Sequence, residues 1–191
     1  MTKKTRRLVA ISSAALAVLL AAALLLWKKP AGFEPELLKR TAEKGGAVTE
    51  FIKVKLFFLS ETSPYLRPVY REIEVPEIRE ELYRKFVSLL LAGDSGHITP
   101  VPDGVQLRSL HYLVAPQMLL LDFSESLGSA FPGGTTAELE FIYFMVDNIC
   151  YNFREIKKIK FLIGGNESKS LAGHIDLEKP FFPNFDWLQG E

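Results

Sequence analysis

The sequence predicts an α+β fold, a two-layer sandwich of one mixed β-sheet with two helices on one face, in the order ββαββαββ. Three patterns support this prediction. Apolar residues alternate with others between Phe51 and Leu59, they recur at helical spacing in residues 76–92 and 135–153, and they run almost unbroken through residues 118–123. The 191 residues include 14 Phe, which favours a packed core over a disordered chain.

Composition and charge exclude several classes of function. Lys+Arg and Asp+Glu are equal at 23 each, so the overall charge does not indicate a nucleic-acid partner. The basic residues Lys157, Lys158 and Lys160 have no interleaved aromatic platform, and such a row usually faces solvent or protects a sheet edge. Cys150 is the only cysteine, which excludes an intramolecular disulfide and a cysteine zinc cluster. We expect no cofactor, no metal and no nucleic acid.

An apolar segment near the N terminus predicts membrane attachment. Residues 8–27 form 20 consecutive residues without a charge, enough at ~1.5 Å per residue to cross the roughly 30 Å core of a bilayer. Basic residues in segment 1–7 favour a cytoplasmic location for that end: Lys3, Lys4, Arg6 and Arg7. We interpret 8–27 as a single-pass anchor. The alternative is a cleaved signal peptide, and both place the remaining chain outside the cytoplasm.

The predicted domain comprises residues 51–191. It follows a linker at residues 28–50, which we expect to contain at most a few helical turns. Strands are predicted at Phe51–Leu59 and Tyr65–Glu74, the second at an edge because of its prolines. A helix is predicted from Pro76 to Ala92, with Gly93 at its C-cap. Two further strands are predicted at 105–114 and 118–123, and the apolar run of the second favours a central position buried on both faces.

The second half begins at Gly133-Gly134, which give the chain room to turn. Thr135-x-x-Glu138 fits a capping box for a helix that ends near Phe153. The predicted inward stripe of this helix includes Cys150, which we interpret as a small core residue. A strand at 157–163 and a closing strand at 169–173 complete the order. The inward stripe consists of Leu139, Ile142, Val146, Ile149, Cys150 and Phe153.

One short loop imitates a catalytic motif. Gly93-Asp94-Ser95-Gly96 matches the nucleophile loop of trypsin-like proteases, in which a base His and an orienting Asp precede the serine on a double β-barrel. All three histidines here, namely His97, His111 and His174, follow Ser95. The chain beyond the anchor is also too short for that barrel, so we interpret the loop as a turn.

Seven pieces of the sequence form an ordered set: VKLFFL, SLLLAG, ITPVPDGVQLRSL, LLLDFSESL, FPGGTTAELEFIYFMVDNI, KIKFLIGG and LAGHIDLEKPFFPN. Together, in this order, they resemble the GerMN domain family. The likeness covers about residues 54–184, and Gly-His-Ile-Asp at 173–176 is its most specific piece. It implies an extracytoplasmic, membrane-tethered domain without known enzymatic activity, similar in fold to the ring-building motifs of envelope assemblies. The family-motif residues, which we interpret as structural, are Gly133, Gly134, Gly173, His174 and Asp176.

The sequence therefore favours a non-catalytic protein-interaction domain in the cell envelope, with envelope proteins or copies of itself as partners. A module for cell-wall glycan or peptide is the alternative, and a hydrolase using Ser95 or His174 is the least favoured reading. His174 and Asp176 could also contribute to a metal or acid–base site, but no further ligand is evident. The aromatic tail is expected to fold onto the core or to offer a partner an apolar patch; its members are Phe181, Phe182, Phe185 and Trp187.

Overall fold

The computed structural model describes residues 36–41, 48–60, 63–131 and 133–188. The expected anchor at 8–27 lies outside these residues. Within them, no helix combines the length and apolarity needed to cross a bilayer. The elements, in chain order, are β1 (Glu36–Thr41), β2 (Val48–Ser60), β3 (Ser63–Glu74), α1 (Arg79–Ala92), β4 (Leu107–Leu113), β5 (Met118–Phe123), α2 (Ser126–Ala130), α3 (Thr135–Asn152), β6 (Lys158–Ile163) and a 3-10 turn, Phe185–Trp187.

The strands form two sheets of three strands. The first sheet is antiparallel in the order β1-β2-β3. The second has the order β4-β5-β6, with an antiparallel β4–β5 pair and a parallel β5–β6 pair. The α+β class and the central position of β5 are therefore confirmed, whereas the expected single mixed sheet is divided in two.

Helix α3 causes this division because its side chains occupy the edge of β2 beyond the part paired with β1. The amide of Asn152 accepts from Lys55 N at 2.9 Å and donates to Lys55 O at 2.7 Å. The amide of Asn148 pairs with Phe57 in the same way, at 2.7 and 2.8 Å. Further along this edge, Leu59 exchanges two backbone hydrogen bonds with Ile98, at 3.0 and 3.2 Å. No strand of the second sheet can pair where these groups already bond.

The core surrounds α3, which is buried over most of its circumference. Its predicted inward stripe is confirmed except at Leu139, which is partly exposed, and the sequence missed the buried polar positions Glu138, Asp147, Asn148 and Asn152. Phe141 of α3 lies 5.8 Å from Phe123 and 5.9 Å from Phe161 between ring centroids. These contacts pack α3 against the second sheet, while its asparagines bond the first.

Several boundaries differ from the sequence prediction. Residues 36–41, in the expected linker, form β1 and pair with Val48–Lys53, so the folded part begins before residue 51. Lys169–Gly173 is not a strand, because Lys169 O accepts from Leu177 N at 2.9 Å and closes a loop. Helix α1 begins at Arg79 rather than Pro76. On β5, Met118 and Leu120 are partly exposed, so burial on both faces is wrong for that part of the strand.

Three aromatic side chains of the C-terminal tail are described, and the side chain of Trp187 lies outside the described part. Phe181 pairs with Ile159 through two backbone hydrogen bonds and lies 5.8 Å from the Phe161 ring. Phe185 contacts Tyr151 edge-on at 5.9 Å. Phe182 points outward with 61% of its surface exposed. Both expectations for the tail therefore hold in part, since two aromatics fold back and one remains available.

Candidate functional site

The family-motif glycines stand where the chain turns into α3. Gly133 and Gly134 have φ values of 78° and 96°, a region that residues with a Cβ rarely adopt. A Cβ built on Gly133 would lie 3.9 Å from the Cβ of Ala172. This turn therefore lies beside the loop that contains Gly173 and His174, so the structure brings the two halves of the motif together.

Glu138 joins these halves. Its side chain has no exposed surface, and Oε1 lies 2.8 Å from His174 Nδ1 and accepts from His174 N at 3.1 Å. The second oxygen, Oε2, accepts from Ile175 N at 3.1 Å. The predicted capping box is therefore wrong, because no side chain caps α3 and Glu138 faces the loop rather than the backbone of Thr135.

The charge of Glu138 suits this arrangement. Burial alone raises the pKa of Glu138, but hydrogen bonds from the His174 ring and from the backbone N–H groups of Ile175 and His174 outweigh it and lower the pKa. The carboxylate is thus held ionised against the imidazole, whose side chain is 44% exposed. Three donors on one buried carboxylate close the loop over the start of α3.

Asp176 lies apart from this contact. Its Oδ1 accepts from Glu178 N at 2.8 Å, and its Oδ2 lies 3.1 Å from Lys179 Nζ. The segment that carries His174 and Asp176 is not a strand, so the two side chains have different partners. The buried Lys160 fixes the next part of the loop by donating to Leu177 O at 3.1 Å and to Glu178 O at 2.6 Å.

A carboxylate that orients a histidine occurs in both catalytic and metal sites. Here the groups around the pair are mainly backbone. Gly173 N donates to Ser170 Oγ at 2.8 Å, and within the described ranges no group of three or more metal-ligating side chains is present. What these contacts do is hold one loop in one conformation.

The Gly93–Gly96 loop shows a similar use of polar side chains. Asp94 forms an ion pair with Arg71, and its other oxygen lies 3.0 Å from His97 Nδ1. Ser95 is exposed, and no described hydrogen bond joins it to a histidine. Asp94 therefore fastens the loop to β3 through Arg71.

Sequence reasoning missed a polar cluster at the far end of α3. Glu155 Oε1 accepts from Tyr83 OH at 2.7 Å and forms an ion pair with Arg79. Tyr112 OH donates to Glu155 O at 3.0 Å. Burial of Tyr83, together with its bond to Glu155, raises the pKa of the phenol. Nothing in the sequence pairs these residues, since Tyr83 and Glu155 are 72 positions apart.

The chain is similar to a known protein family and to solved structures of low sequence identity. The family model described as "Germane: Sporulation and spore germination" matches residues 55–169. No curated protein sequence matches the chain. A candidate lipoprotein from Clostridium perfringens is 21% identical with a TM-score of 0.48, covering 69% of this chain and 87% of that one.

The tandem GerMN domains of the sporulation protein GerM from Bacillus subtilis are 18% identical with a TM-score of 0.53. That alignment covers 75% of this chain and 50% of the GerM chain, so this chain spans half of that structure. The likeness shows the GerMN fold, and the family model covers more than half of the sequence. The chain belongs to the Germane family, whose members are linked to sporulation and spore germination.

Proposed function

We propose that the chain is a non-catalytic protein-interaction domain of the GerMN type, tethered to the membrane by residues 8–27 and exposed outside the cytoplasm. Its role is to join an envelope assembly used in sporulation or germination, with another envelope protein or a second copy of the chain as partner. Family membership and the uncharged N-terminal segment support this proposal.

One observation carries the proposal, an apolar patch at one end of the second sheet. Leu113 pairs with Met118 across β4–β5, Met118 pairs with Lys158 across β5–β6, and Lys158 Nζ lies 5.7 Å from the centre of the Phe182 ring. Val114 follows Leu113 and is 74% exposed. We call Leu113, Val114, Met118 and Phe182 the end patch. Exposed apolar groups gathered in this way are typical of interaction surfaces.

The use of the motif residues also favours an interaction role. The buried Glu138 accepts three hydrogen bonds from the loop that contains His174. Asn148 and Asn152 form hydrogen bonds with the edge of β2. These polar groups stabilise the fold. Surface residues, such as those of the end patch, remain available for contacts with a partner protein. A function based on shape and surface fits this distribution better than one based on a reactive centre.

Photocrosslinking in native membranes tests the proposal. Benzoylphenylalanine replaces Val114 or Phe182 in the full chain, and Arg84, an exposed residue of α1, serves as the matched control. We expect discrete protein adducts from positions 114 and 182 and none from position 84. In addition, Val114→Asp should abolish the adduct formed at position 182, because a charge within the patch opposes apolar contact.

Three results would count against this function. Absence of adducts at both patch positions, or equal adducts at all three positions, would remove the end patch as a contact surface. Retention of the chain by isolated peptidoglycan, without any protein adduct, would instead support the cell-wall alternative.

A further inference from the structure

A cleft of about 480 Å³ lies between the loop at residues 99–103 and the corner where α2 meets α3. This volume is in the range of small-ligand sites. The wall formed by the loop is Thr99, Pro100, Val101, Pro102 and Asp103, and the opposite wall is Ala130, Phe131, Ala137 and Glu140.

Both ends of the loop wall are fixed by hydrogen bonds. At its start, Ile98 exchanges two backbone bonds with Leu59 of β2. At its end, Gly104 O accepts from Ser126 Oγ at 3.2 Å, and Gln106 N donates to Ser124 Oγ at 3.0 Å. A cleft whose walls are held in this way exists before a ligand arrives, which lowers the entropic cost of binding.

The lining combines apolar walls with unpaired carboxylates. The two prolines, Val101 and Phe131 offer carbon surface, and prolines have no N–H to present. Within the described part of the chain, no hydrogen bond or ion pair involves the side-chain carboxylate of Asp103 or of Glu140. The Thr99 hydroxyl oxygen is buried and likewise has no partner among those residues.

The charges of the lining residues determine whether the cleft favours a cation or an anion. Asp103 is on one wall and Glu140 is on the other, and none of the described residues that line the cleft is basic. Ala137 and Glu140 are three residues apart and so share one flank of α3, which places the cleft against the side of the helix and not over its N-terminal amides. An anion would meet two carboxylates here, whereas a cation would be attracted by both.

We propose that this cleft binds a lysine or arginine side chain presented by a partner protein. Such a side chain has an apolar stem that suits the proline wall and a charged head that reaches the two carboxylates. The apolar wall offers little to the hydroxyl groups of a glycan. The inference rests on the proposed interaction function for the source of the side chain, but the chemistry of the cleft can be tested alone.

The test uses the full chain in lipid nanodiscs and a capped Gly-Ser-Arg-Ser-Gly peptide, followed by backbone amide NMR. The matched ligand replaces arginine by citrulline, which has nearly the same shape and no charge. We expect the arginine peptide to shift the amide signals of Thr99, Val101, Asp103 and Ala137 in a saturable way, and the citrulline peptide to bind at least about fivefold more weakly.

Variants identify the carboxylates responsible. Asp103→Asn and Glu140→Gln should each lower the affinity for the arginine peptide about threefold, as for partly exposed ion pairs. The double variant should lower it about tenfold. Glu77→Gln, a change of the same kind at an exposed residue ahead of α1, should leave binding unchanged. Raising the salt concentration should weaken binding by the wild type and not by the double variant.

Equal binding of the two peptides, no saturable shifts, or unchanged binding by the double variant would overturn the proposal. Displacement of the peptide by isolated peptidoglycan would also overturn it, by assigning the cleft to an amine of the cell wall. Because this assay needs no partner, a negative result here leaves the end-patch crosslinks untouched, and the reverse also holds.

Discussion

Asp147 of α3 is a buried carboxylate that faces the C-terminal tail. Its Oδ1 accepts from Asn184 N at 2.7 Å, while Oδ2 is buried without a partner in the described residues. Burial raises the pKa of Asp147 to about 7, and the charge of Asp186 adds to this against the opposing hydrogen bond from Asn184. Burial, together with the charge of Asp147, raises the pKa of the Cys150 thiol to about 12.

The raised pKa of Asp147 predicts a pH-dependent stability. Since the folded carboxyl holds its proton up to about pH 7 while the unfolded one releases it near pH 4, the free energy of unfolding falls as the pH rises between these values. The loss is on the order of 3–4 kcal/mol and ends above the folded pKa. Urea denaturation of the wild type and Asp147→Asn from pH 4 to pH 8 measures it.

The asparagine variant keeps the acceptor for Asn184 N and cannot ionise. Its stability relative to wild type should therefore improve with rising pH over this window. A constant difference between the two proteins at every pH would show that Asp147 does not titrate there.

Among the elements, α3 and β2 share the least expected contact of the fold. Four residues of a helix advance about 6 Å along its axis, and two residues of a strand advance about 6.6 Å. Asn148 and Asn152 can therefore reach Phe57 and Lys55 together, each with a donor and an acceptor. Each amide also donates to a carbonyl one turn earlier, Phe144 O or Asn148 O, at 2.8 Å.

Removing one of these amides should be costly. Asn148→Ala leaves a buried N–H and C=O of Phe57 without partners, and each such group costs about 1–3 kcal/mol. We expect the free energy of unfolding to fall by roughly 2–4 kcal/mol and the Phe57 amide to exchange its hydrogen much faster. Urea denaturation and hydrogen-exchange NMR measure the two effects.

Asn166→Ala is the matched control, since Asn166 is exposed and, among the described residues, its side-chain amide donates only to Gly164 O. It should change stability by less than about 0.5 kcal/mol. An equally small change in the free energy of unfolding for Asn148→Ala would show that α3 does little to stabilise the edge of β2.

At the scale of secondary structure, the sequence predicted seven helices and strands close to their observed positions. Each of them has a local pattern of apolar residues. Strand β1 was missed because its pattern is ambiguous and its strand character comes from pairing with Val48–Lys53. The expected closing strand at 169–173 failed for a related reason, since Leu177 and Lys160 fix that loop through backbone atoms that no side-chain pattern encodes.

For the molecule as a whole, β5 and α3 place fully buried apolar side chains in the core. Leu121 is fully buried at the centre of β5, so Leu121→Asp places a carboxylate among apolar side chains. We expect the loss of the cooperative thermal transition, because the cost approaches the total stability of about 5–15 kcal/mol typical of domains. Circular dichroism melting measures it.

Leu120→Asp is a closely matched comparison. Leu120 is the adjacent residue, partly exposed on the opposite face and paired with His111 and Lys160. It should melt cooperatively at a slightly lower temperature. Cooperative melting of Leu121→Asp as well would contradict the buried central strand.

Only part of the candidate site could be predicted from the sequence. The glycines, His174 and Asp176 could be selected from the sequence because they stand out in short motifs. Glu138 could not be identified as the partner of His174, since 36 residues separate them and a capping box explained its spacing equally well. The cleft and the end patch likewise depend on segments that meet only in three dimensions.

Strand β1 has a mechanical consequence under the proposed tethering. Tension from the membrane would enter the fold at Glu36, whose partner Lys53 is the last residue of β2 in the β1–β2 ladder. Pulling there opens the ladder one pair at a time instead of loading all pairs together. With such a tether, about 15 residues, or roughly 50 Å of extended chain, would unravel before tension reached β3, so β1 would lengthen the connection to the membrane before the rest of the fold was loaded.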